Sequence, residues 1–167
     1  DTAAFHSPFS FLSAVDPTVQ KYSWLFRLNP TFISVSSNDD SQLITLSATM
    51  RGRKLNCLVD TGASLNFISS KLMASESVQS WHLPVESSYT KCKLANSQTI
   101  LSEGRVKLPI EINSQVYPLQ AEIVPDLAFD LILGMPFLKH HQCILDFQTN
   151  QLILQPPKYD ASLIIRD

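Results

Sequence analysis

One short stretch of the sequence has residue types that suit proton-transfer chemistry: a carboxylate followed by small residues. The stretch consists of Asp60, Thr61, Gly62, Ala63 and Ser64. It follows a mostly apolar segment, residues 55–59, so the aspartate lies at the end of a predicted strand. A carboxylate there is either poorly solvated or at the mouth of a cleft, and both settings suit acid–base catalysis. The Asp-Thr-Gly triplet alone is weak, since it occurs by chance in roughly three or four of every hundred chains of this length.

The local alternative for Asp60 is a turn residue, because Asp-x-Gly is common turn chemistry. A second junction of the same kind, 74 positions downstream, weakens that alternative. It is an apolar run that ends in glycine: Leu131, Ile132, Leu133 and Gly134. Two strand-to-glycine junctions are what two chain segments need if they cross closely under a catalytic loop.

The other reactive side chains lack partners at the spacing that their chemistry needs. His140 and His141 are adjacent, so on a helix they point in different directions, and no cysteine or carboxylate lies at ligand spacing. We therefore predict no metal and no other cofactor. Cys57 is better explained as a small core residue than as a nucleophile, and Ser64 and Ser69 have no evident base.

The elements that must position these residues are mainly β-strands. Apolar and polar residues alternate over 44–50, and a turn at 51–54 leads into a return strand at 55–59, which predicts a hairpin ending at Asp60. The same alternation predicts a second hairpin from 106 to 123, around a turn at Asn113-Ser114.

The last part of the chain contains one helix signal and one more hairpin signal. Pro136 opens a short helix that extends to His141. Apolar residues at 143–147 and 152–154 flank a polar turn, which predicts a closing hairpin. Many short strands and one short C-terminal helix predict a mainly β fold class.

The first 40 residues differ in pattern from the rest. Capping residues before prolines at 7–8 and 16–17 predict two short helices, whose apolar stripe either packs on the main body or docks another protein. A polar run at 36–41 is typical of a linker. The predicted organisation is an N-terminal extension at 1–40, one domain at 41–156 and a C-terminal tail at 157–167. Because the chain begins at Asp1, we expect it to be a piece of a longer polypeptide.

Charge and composition argue against several function classes. The net charge is −2, from 13 Lys and Arg against 15 Asp and Glu, so the totals give no support for a nucleic-acid partner. No apolar run approaches the roughly 20 residues needed to cross a bilayer, and no signal segment opens the chain. Three cysteines without a Cys-x-x-Cys pair favour free thiols in a reducing compartment. We therefore expect a cytoplasmic protein without a membrane partner.

The two junction motifs together resemble the signature of the retropepsins, the aspartic proteases of retroviruses and long-terminal-repeat retrotransposons. The resemblance covers roughly Leu43–Leu154 and is greatest to the Ty3/gypsy-type proteases, in Met135–Leu138 and in the closing hairpin. It implies the acid protease fold in its half-pepsin form, closing as a homodimer. The chain holds a single Asp-Thr-Gly, so the resemblance implies that symmetry supplies the second carboxylate.

The resemblance implies a role for each residue of the first motif. Asp60 is the expected catalytic carboxylate, which shares one proton with its symmetry mate because two like charges so close cannot both ionise. Thr61 is expected to bond across the dimer axis, and Gly62 to let the two loops approach closely. Ala63 and Ser64 are expected to lie beside the substrate backbone, above the apolar run of the second motif.

The resemblance also implies a flap over the cleft, in the segment before Gly104. An Asn-Ser turn signal places its tip within Leu94, Ala95, Asn96, Ser97 and Gln98. Unlike the glycine-rich flaps of many retroviral members, this tip contains no glycine. Met135 also stands where several retroviral members have an arginine, so the dimer contacts of that arginine must be replaced or absent.

The expected function is therefore that of a homodimeric aspartic endopeptidase of retroelement type. Its expected substrate is peptide in extended form, above all its own Gag-Pol-like polyprotein, in the cytoplasm including virus-like particles. The alternative is a retropepsin-like dimerisation or adaptor module with little or no proteolysis, because fold alone does not determine function.

Overall fold

Short β-strands make up most of the computed structural model, which describes residues 31–37, 43–93 and 97–155. Within these ranges the strands are β1 (Thr31–Ser34), β2 (Ser36–Ser37), β3 (Ile44–Met50), β4 (Arg53–Val59), β5 (Phe67–Ser69), β6 (Val85–Glu86), β7 (Lys91–Lys93), β8 (Thr99–Leu101), β9 (Gly104–Ile112), β10 (Gln115–Val124), β11 (Leu131–Leu133), β12 (Ile144–Asp146) and β13 (Gln151–Leu154). The helices of these ranges are α1 (Ser70–Met73), α2 (Glu76–Gln79) and α3 (Met135–His140). The mainly β prediction is confirmed.

The first predicted hairpin is confirmed, with a tighter turn than the sequence indicated. β3 and β4 pair antiparallel from Ile44–Val59 to Met50–Arg53. Only two residues make the turn, Arg51 and Gly52, and both have positive φ, 48° and 81°. Such a two-residue turn matches the twist of the flanking strands, so Arg53 joins the strand and not the turn.

The second predicted hairpin is also confirmed and is the longest ladder of the fold. β9 and β10 pair antiparallel, from Gln115–Ile112 to Ile123–Gly104. Its turn residues, Asn113 and Ser114, have positive φ as in the first hairpin. Alternate residues of β9 are buried, which is the burial pattern that period-two alternation predicts.

One sheet of eight strands holds both hairpins together, in the order β2-β3-β4-β11-β5-β10-β9-β6. β11 lies at its centre, parallel to β4 and antiparallel to β5. Leu131 and Leu133 of β11 are fully buried, because neighbouring strands and α3 cover the strand. This central position brings the second sequence motif beside the end of the first.

The segment predicted as extension and linker contributes strands to the domain. Thr31–Ser34 pairs with Gln151–Leu154, so the closing hairpin β12–β13 gains a third strand in the order β1-β13-β12. The Thr31 and Tyr117 hydroxyls are hydrogen-bonded, and the Tyr117 side chain is fully buried. Ser36–Ser37 pairs with the start of β3. The two predicted helices and the tail at 157–167 lie outside the described residues.

The helix at the second motif was predicted, and the two others were not. α3 begins directly after Gly134, with Pro136 in its first turn, and its Phe137 and Leu138 enter the core. α1 and α2 are single turns that bury Leu72, Met73 and Val78. No helix in the described ranges is long and apolar enough to span a membrane.

Candidate active site

The loop that carries Asp60, residues 60–66, connects β4 to β5 and is held by the central strand β11. We call it the Asp60 loop. Val59 lies opposite Leu133 in the parallel ladder. The Asp60 backbone N–H then donates to the Leu133 carbonyl at 3.0 Å, which continues that ladder by one residue. The first motif is thus placed by the second, as two crossing segments require.

Hydrogen bonds within the loop orient the Asp60 side chain. The Gly62 N–H donates to Asp60 Oδ1 at 2.9 Å, and the Ala63 N–H donates to the Asp60 carbonyl at 3.2 Å. Asp60 is half-buried, whereas Thr61, Gly62 and Ser64 are exposed. The carboxylate therefore accepts one backbone hydrogen bond, from the Gly62 N–H, and stays partly exposed, so a substrate or a second subunit can reach it.

Gly134 allows the second motif to cross directly under this loop. A Cβ on Gly134 would overlap the Leu65 carbonyl oxygen and lie 2.9 Å from the Ala63 carbonyl oxygen. The next residue, Met135, donates its N–H to the same Ala63 carbonyl at 2.9 Å. Since both obstructing atoms belong to the backbone, only glycine fits here.

Asn66 joins the two motifs, and sequence reasoning did not single it out. Its Oδ1 accepts from the Gly134 N–H at 2.9 Å, and its Nδ2 donates to the Gln120 carbonyl at 3.0 Å. The side chain is buried, so these bonds satisfy groups that water cannot reach. The sequence does contain a signal for Asn66, a single amide side chain between Leu65 and Phe67. A polar residue in an apolar run needs a buried hydrogen-bond partner.

A two-stranded hairpin lies where the flap was predicted. β7 and β8 pair antiparallel, with Lys91 opposite Leu101 and Lys93 opposite Thr99. Of the predicted tip, Leu94, Ala95 and Asn96 lie outside the described residues. Ser97 has a φ of 66° and is exposed, as is Gln98. The contact of this tip with substrate stays a prediction.

An apolar patch connects the hairpin to the Asp60 loop. Its buried members are Phe67, Cys92 and Val124, and partly buried side chains pack around them: Ala63, Leu65, Ile100, Leu127 and Ile132. Two of its residues thus come from the hairpin and two from the loop. We call this set the loop–hairpin patch; its partly exposed members can accept an apolar side chain.

The other candidate reactive side chains, two cysteines and a serine, are explained by burial or by a structural role. Burial raises the pKa of Cys57 to about 12 and that of Cys143 to about 12, so both thiols are protonated near neutral pH and are poor nucleophiles. Ser69 caps α1 by accepting from the Leu72 N–H. Among the described residues, no group of three His, Cys, Asp or Glu side chains is arranged to hold a metal ion.

Comparisons with solved structures show the fold. The chain superposes on the retroviral protease-like domain of Ddi1 from Leishmania major with a TM-score of 0.53, at 20% identity, over 72% of this chain and 98% of that one. A retropepsin-like aspartic protease from Rickettsia conorii gives 0.50, at 19% identity, over 76% and 90%. The retropepsin-like fold that the motifs indicated is therefore confirmed.

Curated proteins of similar sequence include Protein DDI1 homolog 2 from Danio rerio and from Homo sapiens. Each is 26% identical over 113 residues, which is 67% of this chain. The chain spans about a quarter of the length of these relatives, 26% and 27%.

A protein-family model, the PEG10/RTL1 protease domain, matches residues 56–161. The match begins in β4, includes the Asp60 loop, the β7–β8 hairpin and the Leu131–Gly134 motif, and takes in more than half of the chain. Together with the retropepsin-like fold and the geometry of the Asp60 loop, this match identifies the family of the domain. The chain belongs to the PEG10/RTL1 protease domain family.

Proposed function

We propose that this chain is an aspartic endopeptidase whose active site is completed by a second identical subunit. The observation that carries the proposal is the Asp60 loop, which holds one oriented, half-buried carboxylate at the rim of a retropepsin-like domain. Such a carboxylate supplies half of an aspartic dyad. The proposed substrate is its own Gag-Pol-like polyprotein, in the cytoplasm or in virus-like particles.

The proposed mechanism uses two Asp60 carboxylates that face each other across the dimer axis. Because two like charges a few Å apart cannot both ionise, the pair shares one proton. The ionised carboxylate removes a proton from a water molecule, and that water attacks the scissile carbonyl. The protonated carboxylate donates a hydrogen bond to the carbonyl oxygen as negative charge develops there. Collapse of the tetrahedral intermediate breaks the C–N bond, and the leaving amine takes the proton that the first carboxylate removed from water.

The residues around Asp60 take supporting roles in this proposal. Thr61 bonds across the axis and keeps the paired loops rigid, and the absence of a side chain at Gly62 permits their close approach. The substrate binds as an added strand between Ala63, Ser64 and the β7–β8 hairpin, because an extended peptide satisfies its backbone groups in that way.

The loop–hairpin patch supports a preference for apolar substrate side chains. Leu65 is partly exposed in the Asp60 loop, Ile132 on β11 and Ile100 on the hairpin. An apolar side chain that covers them leaves water at roughly 25 cal/mol per Å² of buried apolar surface. We expect apolar residues close to the cleaved bond.

The experiment that tests the proposal is inhibitor-sensitive cleavage of denatured protein by the purified chain. We expect fragments between about pH 4 and pH 7, and loss of those fragments with an inhibitor that mimics the tetrahedral intermediate. Inhibitors of metal- and cysteine-dependent proteases serve as controls for a contaminating enzyme. Cleavage that resists the aspartic protease inhibitor would overturn the assignment.

The second candidate is a dimerisation or adaptor module without proteolysis. It is favoured by the curated relatives, in which the similar segment is about a quarter of the protein and so is one part of a longer chain. Absence of any cleavage together with a stable dimer in sedimentation would support this candidate over the enzyme.

Dilution is expected to lower the specific activity, because a shared active site exists only in the dimer. Activity per mole of chain should fall roughly in proportion to the dimer fraction as the protein is diluted through the dissociation range. Sedimentation over the same concentrations provides the dimer fraction. Constant specific activity well below that range would show that one molecule hydrolyses peptides alone, and would contradict the shared site.

A further inference from the structure

Glu122 is a buried carboxylate outside the Asp60 loop, and the proposed mechanism does not use it. It lies on β10 opposite Phe67 of β5, and it is 3% exposed. Its Oε2 accepts from Ser102 Oγ at 2.6 Å, and its Oε1 accepts from Arg105 Nε at 2.8 Å. Burying an ionised group costs free energy, so the burial of Glu122 among these hydrogen-bond donors needs a structural reason.

The partners of Glu122 lie at the two ends of the β7–β8 hairpin. Ser102 follows β8 directly, and its N–H donates to the Thr90 carbonyl just before β7. Ser88, which is bonded to the Thr90 hydroxyl at 3.0 Å, also donates to the Glu122 carboxylate. One carboxylate therefore holds the chain where it enters the hairpin and where it leaves it.

A backbone bond connects the same residue to the Asp60 loop. The Glu122 N–H donates to the Asn66 carbonyl at 2.9 Å. Asn66 in turn accepts from the Gly134 N–H, directly under the loop. Glu122 thus lies between the hairpin and the loop that carries Asp60, within one continuous set of hydrogen bonds.

The electrostatics of the site keep Glu122 ionised. Burial by itself raises the pKa of Glu122, but the hydrogen bonds from Ser102, Ser88 and Arg105 and the positive charge of Arg105 outweigh burial and hold that pKa below its ordinary value. On the hairpin, burial and then the negative charge of Glu122 raise the pKa of Cys92. Near neutral pH the carboxylate is therefore a charged acceptor, which makes stronger hydrogen bonds than a neutral one.

We propose that Glu122 is a positioning residue that fastens both ends of the β7–β8 hairpin to β10 and so sets where the hairpin packs against the Asp60 loop. The placement itself follows from the contacts of Glu122. Its consequence for substrate binding rests on the proposed protease function. Glu122 does not touch the reacting atoms, so its loss should weaken substrate binding more than the chemical step.

Hydrogen exchange of the hairpin amides tests the placement directly, without any need for activity. Glu122→Gln keeps the shape of the side chain but removes the charge and one of its two acceptor oxygens. We expect the amides of Lys91–Lys93 and Thr99–Leu101 to exchange at least tenfold faster in this variant, while the amides of β3 and β4 stay unchanged.

The matched control for this change is Glu111→Gln, which makes the same substitution at an exposed position on β9. We expect no change in hairpin exchange for this control. Ser102→Ala provides a second variant if Glu122→Gln folds poorly, because it removes one hairpin end from the carboxylate and leaves the charge in place. The proposal would be overturned if the hairpin amides of folded Glu122→Gln exchanged hydrogen as slowly as those of the unaltered protein. If Ser102→Ala replaces that variant, the same result in Ser102→Ala would overturn it.

Kinetics test the consequence for binding. We expect Glu122→Gln to raise KM for a peptide substrate about tenfold and to change kcat less than twofold, whereas a general loss of folded protein would lower kcat and leave KM unchanged. A fall in kcat alone would contradict a positioning role. If the unaltered protein cleaves no peptide, the proposed function fails, but the exchange result still decides the role of Glu122.

Discussion

Asp60→Asn is expected to lower kcat for peptide cleavage by roughly 10³-fold while the chain still folds and dimerises. The proposed mechanism needs one carboxylate that removes a proton from water, and an amide cannot do so. Folding should survive, because asparagine keeps the Oδ1 that accepts from the Gly62 N–H at 2.9 Å. Steady-state kinetics and sedimentation on the same samples measure both parts of the prediction.

The matched control is Asp126→Asn, the same chemical change at an exposed position. Asp126 has a φ of 59°, a conformation that asparagine tolerates well, so this variant should fold and cleave like the unaltered protein. If Asp60→Asn retained full activity while Asp126→Asn did too, Asp60 would not be the catalytic carboxylate and the proposed mechanism would fail.

Gly134→Ala is expected to destabilise the domain by roughly 3 kcal/mol or more, because a single methyl group would overlap the backbone of the Asp60 loop. The new Cβ would meet the Leu65 and Ala63 carbonyl oxygens, which are backbone atoms and cannot rotate away. For a chain of this size that loss corresponds to a fall in Tm of about 6–12 °C. Calorimetry measures the fall, and activity should decrease further because the loop must shift.

Gly52→Ala separates the steric clash from the general cost of replacing a glycine. Gly52 has a φ of 81°, and nothing lies within 4 Å of a Cβ placed there. We expect only the backbone penalty of a left-handed residue, about 1 kcal/mol. Equal destabilisation by the two variants would mean that the close crossing at Gly134 is not what requires glycine.

The strands that position the site could be predicted from local patterns. The alternation over 44–50 and over 106–112 reflects one buried face and one exposed face, which is a property of each strand alone. The stretch that begins at Asp60 and the run that ends at Gly134 could be recognised for the same reason, since each is a short contiguous signature. A close approach of the two was expected, and in the structure Gly134 lies against the Ala63 and Leu65 backbone.

The limits of the domain could not be predicted in the same way. Thr31–Ser34 carries no alternation long enough to mark a strand, and it becomes one because Gln151–Leu154 offers it a free edge. Ser36–Ser37 forms part of a polar run that is typical of a linker, yet it adds an edge strand beside β3. In both cases the partner, and not the segment, decides the structure.

The amino-acid sequence by itself determined the two long hairpins, the helix α3 and the identity of the catalytic candidate, because periodicity and short motifs depend on neighbouring residues. The tertiary structure alone decided which polar groups meet. Asn66 acquires its role from Gly134, 68 positions away, and Glu122 acquires its role from the two hairpin ends. The physical reason is that a buried polar side chain is satisfied by whichever strand folding brings beside it, and local sequence does not encode that neighbour.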